Sequence, residues 1–237
     1  QSYKLLGTLM DKETGKPIEV DGKPVTAETT FKPKKTSGST EVKFTFDATS
    51  LRGKTIVVFE ELYQDDLKLA VHTDIEDEDQ TIYFPEIKTT AKDAHTDSNL
   101  SLADKEVTLV DTVTYKNLLP GKEYVMTGTL MDKETGETVV IDDKKVTAET
   151  TFTPETAEGT VDVQFTFDGS TLAGKTVVVF ESVSYEGKEF AVHADLKDEG
   201  QTIYFPEIKT TAKDNVSGNH YAKPEKEITL IDTVSYQ

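Results

Sequence analysis

The sequence predicts an all-β protein of tandem β-sandwich domains, and three observations predict it. The first is internal repetition. YKLLGTLMDKETG, from Tyr3, returns from Tyr124 as YVMTGTLMDKETG; VTAETTF begins at Val25 and at Val146; QTIYFPEIKTTAKD begins at Gln80 and at Gln201. The offset is 121 residues without a gap, which is the length of a domain and far too long for one rung of a parallel β-solenoid, the alternative architecture. The second is that the apolar runs are short, β-branched and aromatic: VKFTF from Val42, TIVVF from Thr55, TIYF from Thr81. The third is the turn chemistry between them, at Glu13-Thr14-Gly15, Thr36-Ser37-Gly38 and Leu119-Pro120-Gly121. No segment carries a helical period, and short strands with regular turns read as an antiparallel sandwich.

The repeat also sets the domain boundaries. PEIKTTAKD follows an aromatic strand at Pro85 and again at Pro206. Cutting there gives a first domain, 1–85, without its opening strands, a complete domain, 86–206, and a further pair of opening strands, 207–237. The last piece ends in ITLIDTVSY, from Ile228, which repeats VTLVDTVTY, from Val107. A sandwich without its first strands exposes a sheet edge and an open core. The expectation is that Lys209–Gln237 of one copy completes domain one of another by strand exchange.

Composition removes several classes of function. Asp and Glu number 44 against 26 Lys and Arg, a net charge of −18 over 237 residues. Neither a phosphate backbone nor an anionic membrane surface is a suitable partner for such a chain. There is no cysteine, so disulfides, thiol nucleophiles and Cys-based zinc sites are excluded. No apolar run approaches the roughly 18 residues of a membrane span, and no signal-peptide pattern opens the chain. The sequence therefore reads as an excised soluble piece. No cofactor or metal is expected, since the acidic run DIEDEDQ, from Asp74, lacks the EF-hand spacing.

Certain polar residues recur at matching positions. In IKTTA, strand alternation puts Ile87, Thr89 and Ala91 on one face, so Thr89 points inward, as does its repeat Thr210. Gln201 shares a face with Ile203 and Phe205, and Gln80 repeats it. Glu181 closes the VVVFE strand and Glu60 does the same; His193 and Asp198 repeat His72 and Asp77. Singly, each has an ordinary structural reading: a packed Thr, a solvated strand end, a surface His.

Taken in order, these pieces resemble the ester-bond stalk domains of Gram-positive surface adhesins. The opening TTA.D, the central DTVxY…PGxxYxxxGTLMDKETG, the VVFE strand and the closing H.D..D..QT carry the resemblance across essentially the whole chain. It implies an immunoglobulin-like sandwich whose first-strand Thr and last-strand Gln join covalently. It also implies a cell-wall address outside the cell, neighbouring repeats of the same stalk as partners, and self-modification in place of enzymatic turnover. Carried onto this chain, Thr89 is the nucleophile and Gln201 the electrophile, with Glu181, His193 and Asp198 assisting. Glu60, His72, Asp77 and Gln80 form a half-site lacking its Thr, and Thr210 is a nucleophile lacking its Gln.

The residue types support that chemistry. A hydroxyl needs a base, here expected to be His193, and an amide carbonyl needs a donor where the oxyanion forms. Glu181 and Asp198 are expected to share a proton and provide it. The competing readings are a Lys–Asn isopeptide domain, a ligand- or calcium-binding adhesive module, and a Thr/His/carboxylate hydrolase. Against the first, Lys88 points away from the Thr89 face and no paired Asn is evident.

Overall fold

The computed structural model describes Gln1–Gln237, and its ordered elements are strands apart from three short 3-10 turns. The chain divides into two compact units. One comprises Gln1–Glu86, Tyr115–Lys122 and Pro154–Gly159; the other comprises Ile87–Thr114, Glu123–Thr153 and Thr160–Gln237.

Within Gln1–Glu86 the strands are β1 (Tyr3–Asp11), β2 (Glu19–Val20), β3 (Lys23–Pro24), β4 (Thr26–Phe31), β5 (Thr55–Gln64), β6 (Leu67–His72) and β7 (Thr81–Tyr83). They form an antiparallel sheet in the order β4-β1-β5-β6, with β7 also on β5. Leu9, Ile18, Val25, Leu51 and Ile56 make its core. The run from Val42 was expected to be a strand, and the structure corrects this: residues 41–48 belong to no ladder. Their counterpart in the second repeat pairs with a neighbour that Gln1–Glu86 does not have. The apolar alternation survives, with Val42, Phe44 and Phe46 half-buried.

The second repeat runs through β8 (Glu86–Asp93), β9 (Val107–Lys116), β10 (Tyr124–Asp132), β11 (Val140–Ile141), β12 (Lys144–Lys145), β13 (Thr147–Phe152), β14 (Gly159–Phe167), β15 (Thr176–Tyr185), β16 (Lys188–His193) and β17 (Thr202–Tyr204). One sheet has the order β13-β10-β15-β16 with β17 also on β15, and the second has the order β14-β9-β8. β9 shows the alternation of a half-buried strand: Val107, Leu109, Asp111, Val113 and Tyr115 are buried while the residues between them are not. The protein is thus all-β, with the two-sheet, immunoglobulin-like plan that the sequence predicts and no parallel coil. β18 (Ile208–Asp214) and β19 (Leu230–Tyr236) form a separate antiparallel hairpin.

Candidate functional site

Five elements of the second repeat converge on one buried polar cluster. On β8 the pattern buries Ile87, Thr89 and Ala91 and turns Lys88 and Thr90 outward, so the Thr89 hydroxyl enters the core. Asp111 enters from β9 and is fully buried. Glu181 enters from β15, directly across the ladder from His193 on one side and Gly128 on the other. A Cβ on Gly128 would stand 2.5 Å from Glu181 Oε1, so glycine is what lets this carboxyl lie flat over β10.

The remaining groups come from the turn before β17. Asp198 caps it, with Oδ1 accepting from the Gly200 N–H at 2.8 Å, while Oδ2 lies 2.7 Å from His193 Nε2. The Asp198 carbonyl accepts from the Thr202 hydroxyl at 2.7 Å. These contacts fix the turn, and Gln201 projects from it into the core with no exposed surface. The turn also abuts β8, since a Cβ built on Gly200 would be 3.9 Å from the Thr89 carbonyl oxygen. Downstream of β8, Ser101 donates its N–H to the Tyr204 carbonyl and Tyr204 donates to the Asn99 carbonyl. The segment after β8 is therefore held beside the end of β17.

The electrostatics of the cluster are unusual. Burial pushes the Asp111 carboxyl up to about 6, opposed by its contacts with Glu181, Thr89, the His193 charge and the Thr90 backbone. Burial first, then the facing Asp111, pushes Glu181 up to about 10. Two carboxyls facing each other out of water cannot both ionise cheaply, so near neutral pH Glu181 keeps a proton and Asp111 carries the charge. This corrects one expectation. The acid facing Glu181 is Asp111, not Asp198, because Asp198 is committed to His193 and to its own turn.

Hydrogen bonding completes the description. Seven buried side-chain atoms lack a partner of ordinary geometry: Thr89 Oγ1, both oxygens of Asp111, both of Glu181, and both terminal atoms of Gln201. A buried unmatched polar group costs about 1–3 kcal/mol, so such a cluster is expensive as mere scaffolding. Condensing the hydroxyl with the carboxamide removes the O–H donor and both N–H donors together, leaving an ester that only accepts.

Asp111 was absent from the sequence-derived set, although its signal was visible. It is a charged residue at the centre of the inward-facing alternation Val107, Leu109, Val113, Tyr115, and Asp232 repeats it inside Ile228, Leu230, Val234, Tyr236.

The structure also places the half-sites. Glu60 faces His72 across β5–β6, His72 Nε2 is 2.6 Å from Asp77 Oδ2, and Asp77 Oδ1 accepts from the Asp79 N–H at 2.9 Å. Burial raises the Glu60 carboxyl, and its Oε2 is unpartnered. Gln80 is half-buried there, and the His72 side chain is 51% exposed where that of His193 is 23%. Thr210 sits on β18, exposed. No group of three or more His, Asp or Glu side chains is gathered as a metal would require, and Asp74 and Asp77 of the acidic run accept from backbone N–H groups of their own loop.

The family model for a T–Q ester bond containing domain matches residues 1–84, 85–205 and 206–237. Two solved structures of a bacterial adhesin from Mobiluncus mulieris containing intramolecular disulfide, isopeptide and ester bond cross-links are similar at low identity. One is 17% identical, with a TM-score of 0.42 over 62% of this chain and 76% of that one. The other is 16% identical, with a TM-score of 0.40 over 65% and 75%. A glycosyl hydrolase family 2 member from Bacteroides cellulosilyticus aligns at 9% identity and a TM-score of 0.39, over 88% of this chain and 26% of its own. No curated protein matches.

Proposed function

Because the chain belongs along its whole length to the family of domains containing a Thr–Gln ester bond, we propose that Thr89 and Gln201 condense to brace the second repeat covalently. The observation that carries this reading is the buried Thr89 hydroxyl and Gln201 carboxamide, neither with a hydrogen bond of ordinary geometry, beside a carboxyl pair of which one member is charged and one protonated.

The roles follow from that arrangement. Asp111, the charged carboxylate in contact with Thr89, takes the hydroxyl proton as Oγ1 attacks the Gln201 carbonyl carbon. Protonated Glu181 supplies the donor for the developing oxyanion. The Oγ1–Cδ bond forms, the Cδ–Nε2 bond breaks, and the hydroxyl proton leaves with the nitrogen as ammonia. His193 and Asp198 hold the turn bearing Gln201. The fold supplies the proximity that makes an alcohol and an amide react at all. Each site reacts once, so the protein modifies itself and does not turn over a substrate.

The bond ties β8 to the turn before β17. Load entering the repeat at one end and leaving at the other passes through the ester and does not unzip the ladders. That suits a stalk segment of a surface adhesin, outside the cell, in a chain with no cysteine to provide a disulfide. The Mobiluncus adhesin, whose cross-links include an ester, is consistent with this assignment. No helix here is long and apolar enough to cross a membrane.

Intact mass under denaturing conditions tests the proposal. The wild type should be lighter than its sequence by one ammonia, hydroxylamine should reopen the bond, and Thr89→Ala and Gln201→Ala should have full mass. A folded wild type of full mass would remove the covalent reading.

A further inference from the structure

The carboxamide of Gln201 is not held by its own atoms. Neither its oxygen nor its nitrogen has a hydrogen bond of ordinary geometry, so its place in the core is inherited from the backbone of the 3-10 turn Glu199–Gln201. The bond inside that turn is long, with the Gln201 N–H reaching the Asp198 carbonyl at 3.2 Å. A second donor on the same carbonyl, the Thr202 hydroxyl, is closer at 2.7 Å. What fixes the Thr202 hydroxyl therefore fixes the turn and, through it, the electrophile.

Lys133, in the turn between β10 and β11, is that group. Its Nζ donates to Glu199 Oε1 at 2.8 Å and to Thr202 Oγ1 at 3.1 Å, so its two partners flank Gln201 in the chain. An ammonium has protons to give and no lone pair to offer, so the hydroxyl it contacts must turn its own proton towards the Asp198 carbonyl. Tyr204 donates to the other oxygen of Glu199. Lys133 first, then Tyr204, hold the Glu199 carboxyl below its ordinary range and keep it charged at neutral pH. The lysine is itself anchored: its N–H donates to the Thr176 carbonyl at 3.0 Å, and Thr176 pairs with Tyr204 in the β15–β17 ladder. Asp132 beside it ties the same turn by accepting from the Glu134 and Thr135 N–H groups at 2.9 and 3.0 Å. The Lys133 side chain is 25% exposed against 51% for Lys175, which pairs with Asp132 at 3.6 Å. The first repeat has the same clamp, with Lys12 and Tyr83 both donating to Glu78.

We propose that Lys133 is a positioning residue for the Thr89–Gln201 condensation, clamping the turn that carries Gln201 through Glu199 and Thr202 while His193 holds it through Asp198. The inference rests on the ester reading and deepens it, because part of the proximity that drives the reaction is then set outside the buried cluster. No bond to Lys133 forms or breaks. An ion pair with an exposed glutamate contributes little to global stability, whereas a displacement of about 1 Å at the reacting atoms can cost about a hundredfold in rate. The clamp therefore governs the rate of condensation and hardly the stability of the fold. β10 serves the site twice, at Gly128, which admits Glu181, and just past its end at Lys133.

The test is the rate of ammonia loss, read by intact mass after the unfolded full chain is diluted from urea, with circular dichroism following the fold. Lys133→Met keeps the stem and removes the donor; it should fold on the wild-type timescale and condense about tenfold more slowly, still to completion. Lys133→Arg restores a cation that only donates and should recover most of the lost rate. Lys175→Met removes the neighbouring lysine that pairs with Asp132 and should condense at the wild-type rate. Added to a chain carrying Glu199→Gln and Thr202→Val, Lys133→Met should slow the reaction little further, because the lysine acts through those two. Urea unfolding on a Gln201→Ala background, where no ester can form, should give nearly the same midpoint with and without Lys133→Met. Equal rates for the wild type and Lys133→Met overturn the clamp alone, as do equal slowing by Lys175→Met, a full further loss on the double background, or no recovery with Arg. A midpoint that falls in proportion to the rate makes Lys133 a general support of the fold and overturns it too. A folded wild type of full mass overturns the ester reading beneath it.

Discussion

Replacing Asp111 by Asn separates the proposed chemistry from the fold. The two side chains have nearly the same shape, and the position is fully buried on β9 between Leu109 and Val113, so packing is retained. What is lost is the charge facing Glu181 and Thr89 and, with it, the acceptor for the hydroxyl proton. A positioned base contributes about a hundredfold to ten-thousandfold, or about 2.7–5.4 kcal/mol of barrier. The assay begins with chain kept unfolded in denaturant, where the strands are apart. Dilution starts folding, and quenched samples are weighed for ammonia loss while circular dichroism follows the fold. Asp111→Asn should fold on the wild-type timescale and cross-link at least about a hundredfold more slowly.

The pH profile adds an independent check. The reactive form needs Asp111 ionised and Glu181 protonated, and their values are raised to about 6 and about 10. The wild-type rate should be flat between those limits and fall outside them, to about a tenth one unit below the lower. Asp111→Asn should lose the acidic limb. If Asp111→Asn matched the wild type, or if the wild-type rate did not fall on the acid side, Asp111 would not be the base.

Three further outcomes follow from the same geometry. Thr89→Ala removes a link that closes a loop of roughly a hundred residues, so thermal or denaturant unfolding should show the second repeat less stable by about 4–5 kcal/mol, or somewhat less where the unfolded chain retains structure. In that uncross-linked variant Asp111 and Glu181 bind more protons folded than unfolded, because both are raised. Its stability should therefore fall as pH rises above the ordinary carboxyl range, and adding Glu181→Gln should flatten the decline in parallel denaturant titrations. Gly128→Ala forces a methyl against Phe165 and Glu181 Oε1; it should destabilise the repeat by about 1–3 kcal/mol and slow ammonia loss by displacing the acid.

How far the sequence could be read depended on the range of the interactions. Repeat length and strand alternation are local, so the sandwich, the inward Thr89 and the buried Gln201 were legible. The ladder of residues 41–48 was not, because VKFTF has the same period as VQFTF of β14, and whether it forms a strand depends on a neighbour distant in sequence. The proton pairing failed for a related reason. Asp198 is near His193 and Gln201 in sequence and belongs to a readable motif, so it attracted the role of sharing a proton with Glu181. Asp111 reaches Glu181 only when the two sheets face each other. A charged residue amid four inward apolar ones could still have signalled it, since an unpaired buried carboxylate is hard to maintain.

The unmatched polar atoms give the reaction a direction. Before condensation the site keeps a hydroxyl, a carboxamide and two carboxyls away from water without ordinary partners, at a cost the surrounding packing must offset. An apolar replacement of similar shape would avoid that cost, so stability alone does not account for the arrangement. The proposed condensation would remove the buried donors that have nowhere to donate and would leave an ester that only accepts, beside the protonated Glu181. In the proposed reaction ammonia would escape to solvent and become dilute. Reversal by water would require water to enter a cluster whose Thr89, Asp111, Glu181 and Gln201 are all buried. The same burial that makes the unreacted site costly would protect the proposed product.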